Sequence, residues 1–305
     1  MKTLKELKIG RRPPAVVAYA DTPIIEVIKG LAEKWMRHAP IIDRKTKQLV
    51  GMVSARDIID FLGGGPKRKI VEEKYGGDLY EALIKEPVFS IRYTPPYVTL
   101  DDTIYDVVDL MIDRNIGALA ITDREGKLVG MISERHIMSL FSDVKTFVKV
   151  SEVMSSPLIT LPPQASVLDG QVVMHEKHIR RIVLKTRSEL RGIVSIKDVI
   201  KYYANPETIE RLRLLGKDVV YRTPLCYIAS PNVITVTLEE DLGDAIKIMR
   251  EHNIGSLVVV NKGVDVGIIT ERDFIIKLPK LWGIDVFVDE VQELLIVGRV
   301  VMLKG

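Results

Sequence analysis

The chain has 305 residues, which is enough for two ordinary domains with a sizeable core. Its apolar share of 47% and charged share of 28% are typical of a soluble globular protein, and a net charge of +3 is too small to indicate nucleic-acid binding. The apolar runs are far too short to cross a bilayer, and the first residues lack the apolar segment of a secretory signal. The single cysteine, Cys226, excludes an internal disulfide and a cysteine-based metal cage. We therefore predict a cytoplasmic protein without a membrane partner.

One series of elements is predicted four times along the chain. An amphipathic helix with apolar spacing at Ile24, Val27, Ile28 and Leu31 precedes an apolar strand at 39–42. A second strand then ends in the sequence GMVSARD at 51–57. The same order returns with GMISERH at 130–136, GIVSIKD at 192–198 and GIITERD at 267–273. A further short strand opens each unit, most clearly at 158–161 and 233–237.

Four such units predict an α/β (α+β) fold of β-α-β-β-α repeats. A unit with one small sheet cannot bury its apolar faces alone, so the repeats are expected to pack in pairs about pseudo-two-fold axes. We place repeats at about 10–62 and 87–141 in a first pair spanning 1–145. Repeats at about 151–203 and 223–278 form a second pair spanning 146–305. Capping residues predict connector helices after Asp78 and between Asn205 and Gly216, and residues 294–303 predict an added strand in the C-terminal tail.

The repeated motif admits two interpretations. Its Ser or Thr is placed to cap the next helix, and the acid three residues later completes a capping box. However, a cation just before that acid opposes the helix dipole, unless an anion binds over the turn. A hydroxyl, a cation and a carboxylate at one helix start suit the phosphate and ribose of a nucleotide. The candidate residues are Ser54, Arg56, Asp57, Ser133, Arg135, Ser195, Lys197, Asp198, Thr270, Arg272 and Asp273.

A second basic set precedes the apolar strands of two repeats. Arg180 and Arg181, like residues 37–38, stand where the other two repeats have small residues at 117–118 and 255–256. The small residues could admit a ligand whose phosphates the cations meet. Solvated surface charge is the alternative interpretation.

Motif, apolar pattern and repeat number together resemble the cystathionine-β-synthase (CBS) domain family over roughly residues 10–280, as four CBS repeats in two Bateman modules. The resemblance implies adenosine ligands: AMP, ADP or ATP, with S-adenosylmethionine less favoured. It implies that Asp57, Asp198 and Asp273 hold ribose, and that Ser54, Ser195 and Thr270 bind near ribose or phosphate. Thr160 and Thr235 match a threonine of the family's opening strand. His136 departs from the pattern, because it replaces the acid of the second repeat. It is either a phosphate contact or a helix-surface histidine, and we favour the second interpretation.

The sequence offers little for catalysis. The five histidines are scattered, no Ser–His–Asp or Cys–His arrangement follows from the spacing, and no phosphate-cradling glycine loop occurs. We predict a non-catalytic regulatory protein that binds adenine nucleotides in clefts between paired CBS repeats and senses energy state, without metal or catalytic cofactor. We also predict a homodimer formed through packing of CBS pairs, and an unidentified protein effector. A nucleic-acid-binding protein using residues 11–12 and 67–69, and an interaction module with empty ligand sites, are the alternatives.

Overall fold

The computed structural model describes residues 1–187 and 189–287. The strand predicted at 294–303 lies outside these residues. Within them, no helix is long and apolar enough to span a membrane.

The chain folds as four α/β repeats, each with a three-stranded sheet. The first comprises β1 (Ala18–Tyr19), α1 (Ile24–Glu33), β2 (His38–Ile42), β3 (Leu49–Ser54) and α2 (Ala55–Ile59). The second comprises β4 (Tyr97–Thr99), α5 (Ile104–Asp113), β5 (Ala118–Thr122), β6 (Leu128–Ser133) and α6 (Glu134–Met138). The third comprises β7 (Thr160–Leu161), α8 (Val167–Glu176), β8 (Arg181–Lys185), β9 (Leu190–Ser195) and α9 (Ile196–Ala204). The fourth comprises β10 (Thr235–Thr237), α12 (Leu242–Glu251), β11 (Ser256–Asn261), β12 (Val264–Thr270) and α13 (Glu271–Trp282). The predicted β-α-β-β-α order is confirmed.

Short helices connect the repeats. They are α3 (Arg68–Tyr75), α4 (Leu79–Lys85), α7 (Val150–Val153), α10 (Pro206–Leu215) and α11 (Lys217–Tyr221). The predicted caps are confirmed: the Asp78 side chain accepts the Glu81 N–H at 3.0 Å, and the Asn205 side chain accepts the Glu207 N–H at 2.8 Å. Gly216 ends α10 with φ of +79°, a conformation that favours glycine.

In every repeat the first two strands run parallel and the last two run antiparallel. The parallel pair needs a crossover, which the amphipathic helix supplies while covering one face of the sheet. The apolar spacing at Ile24, Val27, Ile28 and Leu31 is buried as predicted, since none of the four side chains is more than 2% exposed. Because the last strand of each repeat is an edge strand of its sheet, the helix that follows it starts at the sheet's edge.

Segments outside the sheets are exchanged between repeats. Residues before the first repeat pair with the second, through bridges from Thr3 to Thr103 and from Arg11 to Met131. Residues before the second repeat pair with the first, through a bridge from Tyr93 to Met52. In the other half of the chain, 149–155 pairs with the fourth repeat and 224–230 with the third. The exchange ties the first repeat to the second and the third to the fourth.

The apolar cores follow a different grouping. One core cluster joins the helices of the first and third repeats, and the other joins those of the second and fourth. Residues 63–65 illustrate the packing: a Cβ on Gly64 would lie 2.9 Å from the Gln171 carbonyl oxygen of α8. Both clusters thus cross residue 145, so the two halves meet along their helices. The predicted division at that residue remains a prediction.

Candidate ligand-binding clefts

All four motifs form capping boxes at the helix that follows the last strand. In the third repeat the Ser195 N–H and Oγ donate to Asp198 Oδ2, at 2.7 and 2.6 Å. In the second repeat the ring of His136 takes the place of the acid, and its Nδ1 accepts the Ser133 N–H at 3.1 Å. His136 is therefore a half-buried part of the cap rather than a surface histidine, and burial and Arg11 lower its pKa.

Three clefts open at three of these helix starts, and each contains one motif aspartate. We name them the Asp57, Asp198 and Asp273 clefts. Their cavity volumes are similar, about 160, 190 and 180 Å³, so the three aspartates face comparable spaces. Each motif contributes its hydroxyl, its cation and its acid to the lining: Ser54, Arg56 and Asp57; Ser195, Lys197 and Asp198; Thr270, Arg272 and Asp273.

Two predicted residues are placed differently. Thr160 and Thr235 are exposed and are not among the lining residues; the clefts are lined instead by the residues just before them, 157–159 and 232–234. Ser133 lines none of the three clefts, whereas Arg135 lines the Asp198 cleft. The second basic set does line the clefts, with Arg180 in all three and Arg181 in two.

Two buried glutamates link the two halves of the chain. Glu134 of the second repeat pairs with Arg180 of the third at 2.6 Å and with Arg272 of the fourth at 2.7 Å. Reciprocally, Glu271 of the fourth repeat pairs with Arg37 of the first and Arg135 of the second, both at 2.7 Å. Both carboxylates are fully buried. We call this arrangement the glutamate clasp. In it, one glutamate from each half of the chain forms ion pairs with two arginines of the other half.

Electrostatics keep the clasp ionised. Burial alone would raise the pKa of Glu134, but Arg180, Arg37 and Arg272 outweigh burial and lower that pKa to about 2. For Glu271 too, neighbouring arginines outweigh burial and hold the pKa far below its ordinary value. Among the described residues of this region, the two clasp carboxylates and the three cleft aspartates, five acids in all, face seven cations: Arg37, Arg56, Arg135, Arg180, Arg181, Lys197 and Arg272. The excess of positive charge lies where the clefts converge, which favours an anionic ligand.

The motif cations also reach across to the opposite half of the chain. Arg56 donates to the His178 carbonyl oxygen at 3.1 Å, and Arg135 donates to Asn253 Oδ1 at 2.6 Å. Conversely, Arg272 donates to the Asn115 side chain, and Lys197 lies over the Trp35 ring. The four contacted residues occupy equivalent left-handed turns, with φ between 51 and 56°. Inter-repeat contact therefore gives these four cations a structural role.

The small residues opposite the basic set leave room for ion pairs. A Cβ on Gly117 would lie 2.6 Å from Arg180 Nη2 and 2.9 Å from Glu134 Cδ. A Cβ on Gly255 would likewise crowd Arg181 and Glu271. Sequence reasoning missed both glutamates, because it treated that motif position as any residue. The available signal was their alternation with Ala55 and Ile196 in the other two repeats.

Lys197 is expected to take up a proton when an anion binds. Burial, then the surrounding cations, lowers its pKa to about 7; the charged groups facing it are Arg37, Arg135, Glu271 and Arg181. An anion in the Asp198 cleft would raise that pKa, so affinity should fall as pH rises through 7, and binding at pH 7.5 should consume protons. Calorimetry in buffers of different ionisation enthalpy measures this uptake. Lys197→Met should lose it, and uptake unchanged in that variant would contradict the assignment.

Comparison with known proteins agrees with this architecture. The family model of the CBS domain matches residues 5–64, 88–143, 150–205 and 226–280. An uncharacterized 33.4 kDa protein in the ribosomal RNA operon of Thermofilum pendens is 42% identical over 297 residues, which is 97% of this chain and 99% of that protein.

Solved structures share the fold. The crystal structure of protein MJ1225 from Methanocaldococcus jannaschii gives a TM-score of 0.82 at 24% identity, covering 88% of this chain and 98% of that one. A conserved protein from Pyrococcus horikoshii gives 0.55 at 17% identity, covering 90% and 98%. Since the four family matches span most of the sequence, the chain belongs to the CBS domain family, with four copies of the domain.

Proposed function

We propose that this chain is a non-catalytic regulatory protein that binds an adenine nucleotide, AMP, ADP or ATP, in its clefts and responds to the energy state of the cell. One observation carries the proposal: three clefts each join a motif carboxylate to the shared excess of cations. A carboxylate suits the hydroxyls of a ribose, and arginines suit its phosphates. Crystallographers have proposed MJ1225 as an archaeal homolog of g-AMPK, which supports a sensing role.

The cation cluster indicates how the clefts can distinguish nucleotides. Arg180 lines all three clefts, so phosphates bound in any of them approach the same guanidinium. AMP, ADP and ATP differ in phosphate charge, and charge-assisted hydrogen bonds to arginine are the strong ones. Binding that draws Arg180 or Arg135 towards phosphate also competes with the glutamate clasp. Regulation then follows from a ligand that changes the contact between the two halves.

Calorimetric titration with AMP, ADP, ATP and S-adenosylmethionine tests the proposal. We expect binding of at least one adenine nucleotide, weakened about tenfold or more by Asp198→Ala, because each hydrogen bond to a charged group contributes about 1.5–3 kcal/mol. Asp169→Ala removes a capping aspartate outside the clefts and is the matched control. Binding unchanged by both Asp198→Ala and Asp273→Ala would contradict the assignment.

The same experiments separate the alternatives. No affinity for any adenine compound, with no shift of melting temperature, would favour an interaction module with empty sites. Strong salt-dependent binding to DNA or RNA would favour a nucleic-acid-binding protein. The homodimer and the regulated effector remain predictions; sedimentation tests the first.

A further inference from the structure

The three cleft aspartates differ in how many hydrogen bonds they can still accept. A carboxylate offers about four acceptor positions, two on each oxygen. In all three motifs the capping residue's N–H and Oγ both donate to Oδ2. The number of acceptor positions that remain open to a ligand therefore depends on the donors that contact Oδ1.

At Asp198, Oδ1 has no donor among the residues that the structure describes. The side chain is half-buried and lines its cleft. Two acceptor positions are thus open, which matches the two hydroxyls of a ribose.

At Asp57, a lysine occupies one of the two acceptor positions on Oδ1. Lys67 Nζ donates to this oxygen and also to the Ile91 carbonyl oxygen at 2.8 Å. The two side chains are 28% and 16% exposed, so the pair is partly shielded from water. One acceptor position is left for a ligand.

At Asp273, both acceptor positions on Oδ1 are occupied. Ser155 Oγ donates to it at 2.6 Å and Lys277 Nζ lies 2.8 Å away. Lys277 is itself held by the Met154 carbonyl oxygen at 2.7 Å. The Asp273 side chain is only 7% exposed, so no acceptor position is left without a rearrangement.

We propose that these internal donors set the order in which the clefts bind ligand: Asp198 first, Asp57 second and Asp273 last. The proposal rests on the proposed function, since it concerns a ligand with vicinal hydroxyls. Lys67 and Lys277 act as built-in competitors that a ribose must displace. Sites that look alike in sequence thereby acquire graded affinities.

The test is calorimetric titration of AMP into the intact chain and single variants. Asp198→Asn should remove the tightest binding step, whereas Asp273→Asn should leave it unchanged. Lys67→Met should strengthen binding in the Asp57 cleft at least about tenfold, the equivalent of one hydrogen bond to a charged group. Combined Ser155→Ala and Lys277→Met should do the same in the Asp273 cleft.

Lys185→Met is the matched control. Lys185 pairs with Asp265 at 2.6 Å with nearly the same exposure as the Lys67 pair, 27% and 13%, but outside the clefts. It should leave all steps unchanged. Weaker binding in Lys67→Met would overturn the proposal, because Lys67 would then be a ligand contact. A tightest step that survives Asp198→Asn would overturn the order alone, while no AMP binding by the wild type would overturn the proposed function with it.

Discussion

Replacing Glu271 by Ala is expected to destabilise the protein by about 3–5 kcal/mol, because it leaves buried arginines without their counter-ion. Glu271 is fully buried and holds Arg37 and Arg135, with Arg181 close by. Inorganic phosphate should recover much of the loss, since an anion can occupy the space between the freed guanidinium groups. Urea denaturation at increasing phosphate concentration measures both effects.

Glu86 provides the control for this experiment. It is also buried, at 1% exposed, and it accepts from Lys74 and Tyr75, yet it lies away from the clefts. Glu86→Ala should destabilise the protein, but phosphate should stabilise it no more than the wild type. Equal phosphate recovery in both variants would mean that the anion acts through general exclusion from the protein surface rather than through the clasp.

Replacing Arg180 by Gln is expected to weaken nucleotide binding in all three clefts, by about tenfold or more in each, because charge-assisted hydrogen bonds contribute about 1.5–3 kcal/mol. Arg180 is the cation that all three clefts share. Calorimetric titration of the variant measures the affinities. The melting temperature without ligand should be recorded as well, since the variant removes one of the two ion pairs that Glu134 makes among the described residues and leaves the pair with Arg272.

Arg181→Gln is the informative comparison. Arg181 lines the Asp198 and Asp273 clefts but not the Asp57 cleft. We therefore expect this variant to leave binding in the Asp57 cleft unchanged. If both variants weaken the same sites equally, Arg180 has no shared role, and the converging-cation interpretation of the clefts is wrong.

Much of the fold followed from local rules in the sequence. Apolar spacing in helices such as Ile24–Glu33 and short β-rich runs are properties of neighbouring residues, and so are caps such as Asp78. The repeat of one motif then identified the family pattern. Asp57, Asp198 and Asp273, which the sequence predicted as ribose contacts, each line a cleft, and their ligand contacts remain untested predictions.

What the sequence could not show depends on partners far along the chain. Glu134 meets Arg272 across 138 residues, and Ser155 meets Asp273 across 118. Neither pairing has a local signature. Glu134 meets Arg272 because the helices of the second and fourth repeats pack together, and Ser155 meets Asp273 because its segment bridges to Ile268.

The lysines at Asp57 and Asp273 are closer in sequence: Lys67 follows Asp57 by ten residues, and Lys277 follows Asp273 by four on the same helix. The spacing of Asp273 and Lys277 was a local signal of their ion pair. Thr160 and Thr235 show the converse: each matches the family's residue type, but each lies one residue beyond those that line the cleft.

The exchanged segments bear on how the protein can be divided. A fragment limited to residues 88–143, the span of one family match, would lack the residues around Arg11 that pair with Met131. The strand Leu128–Ser133 would then present an unpaired edge, which invites association with other chains. A fragment that also carries residues 3–11 would regain the native pairing within one chain. The linker between the two pieces would have to be long enough for residue 3 to reach Thr103. Boundaries drawn by sequence repeat and boundaries fit for expression are therefore different in this molecule.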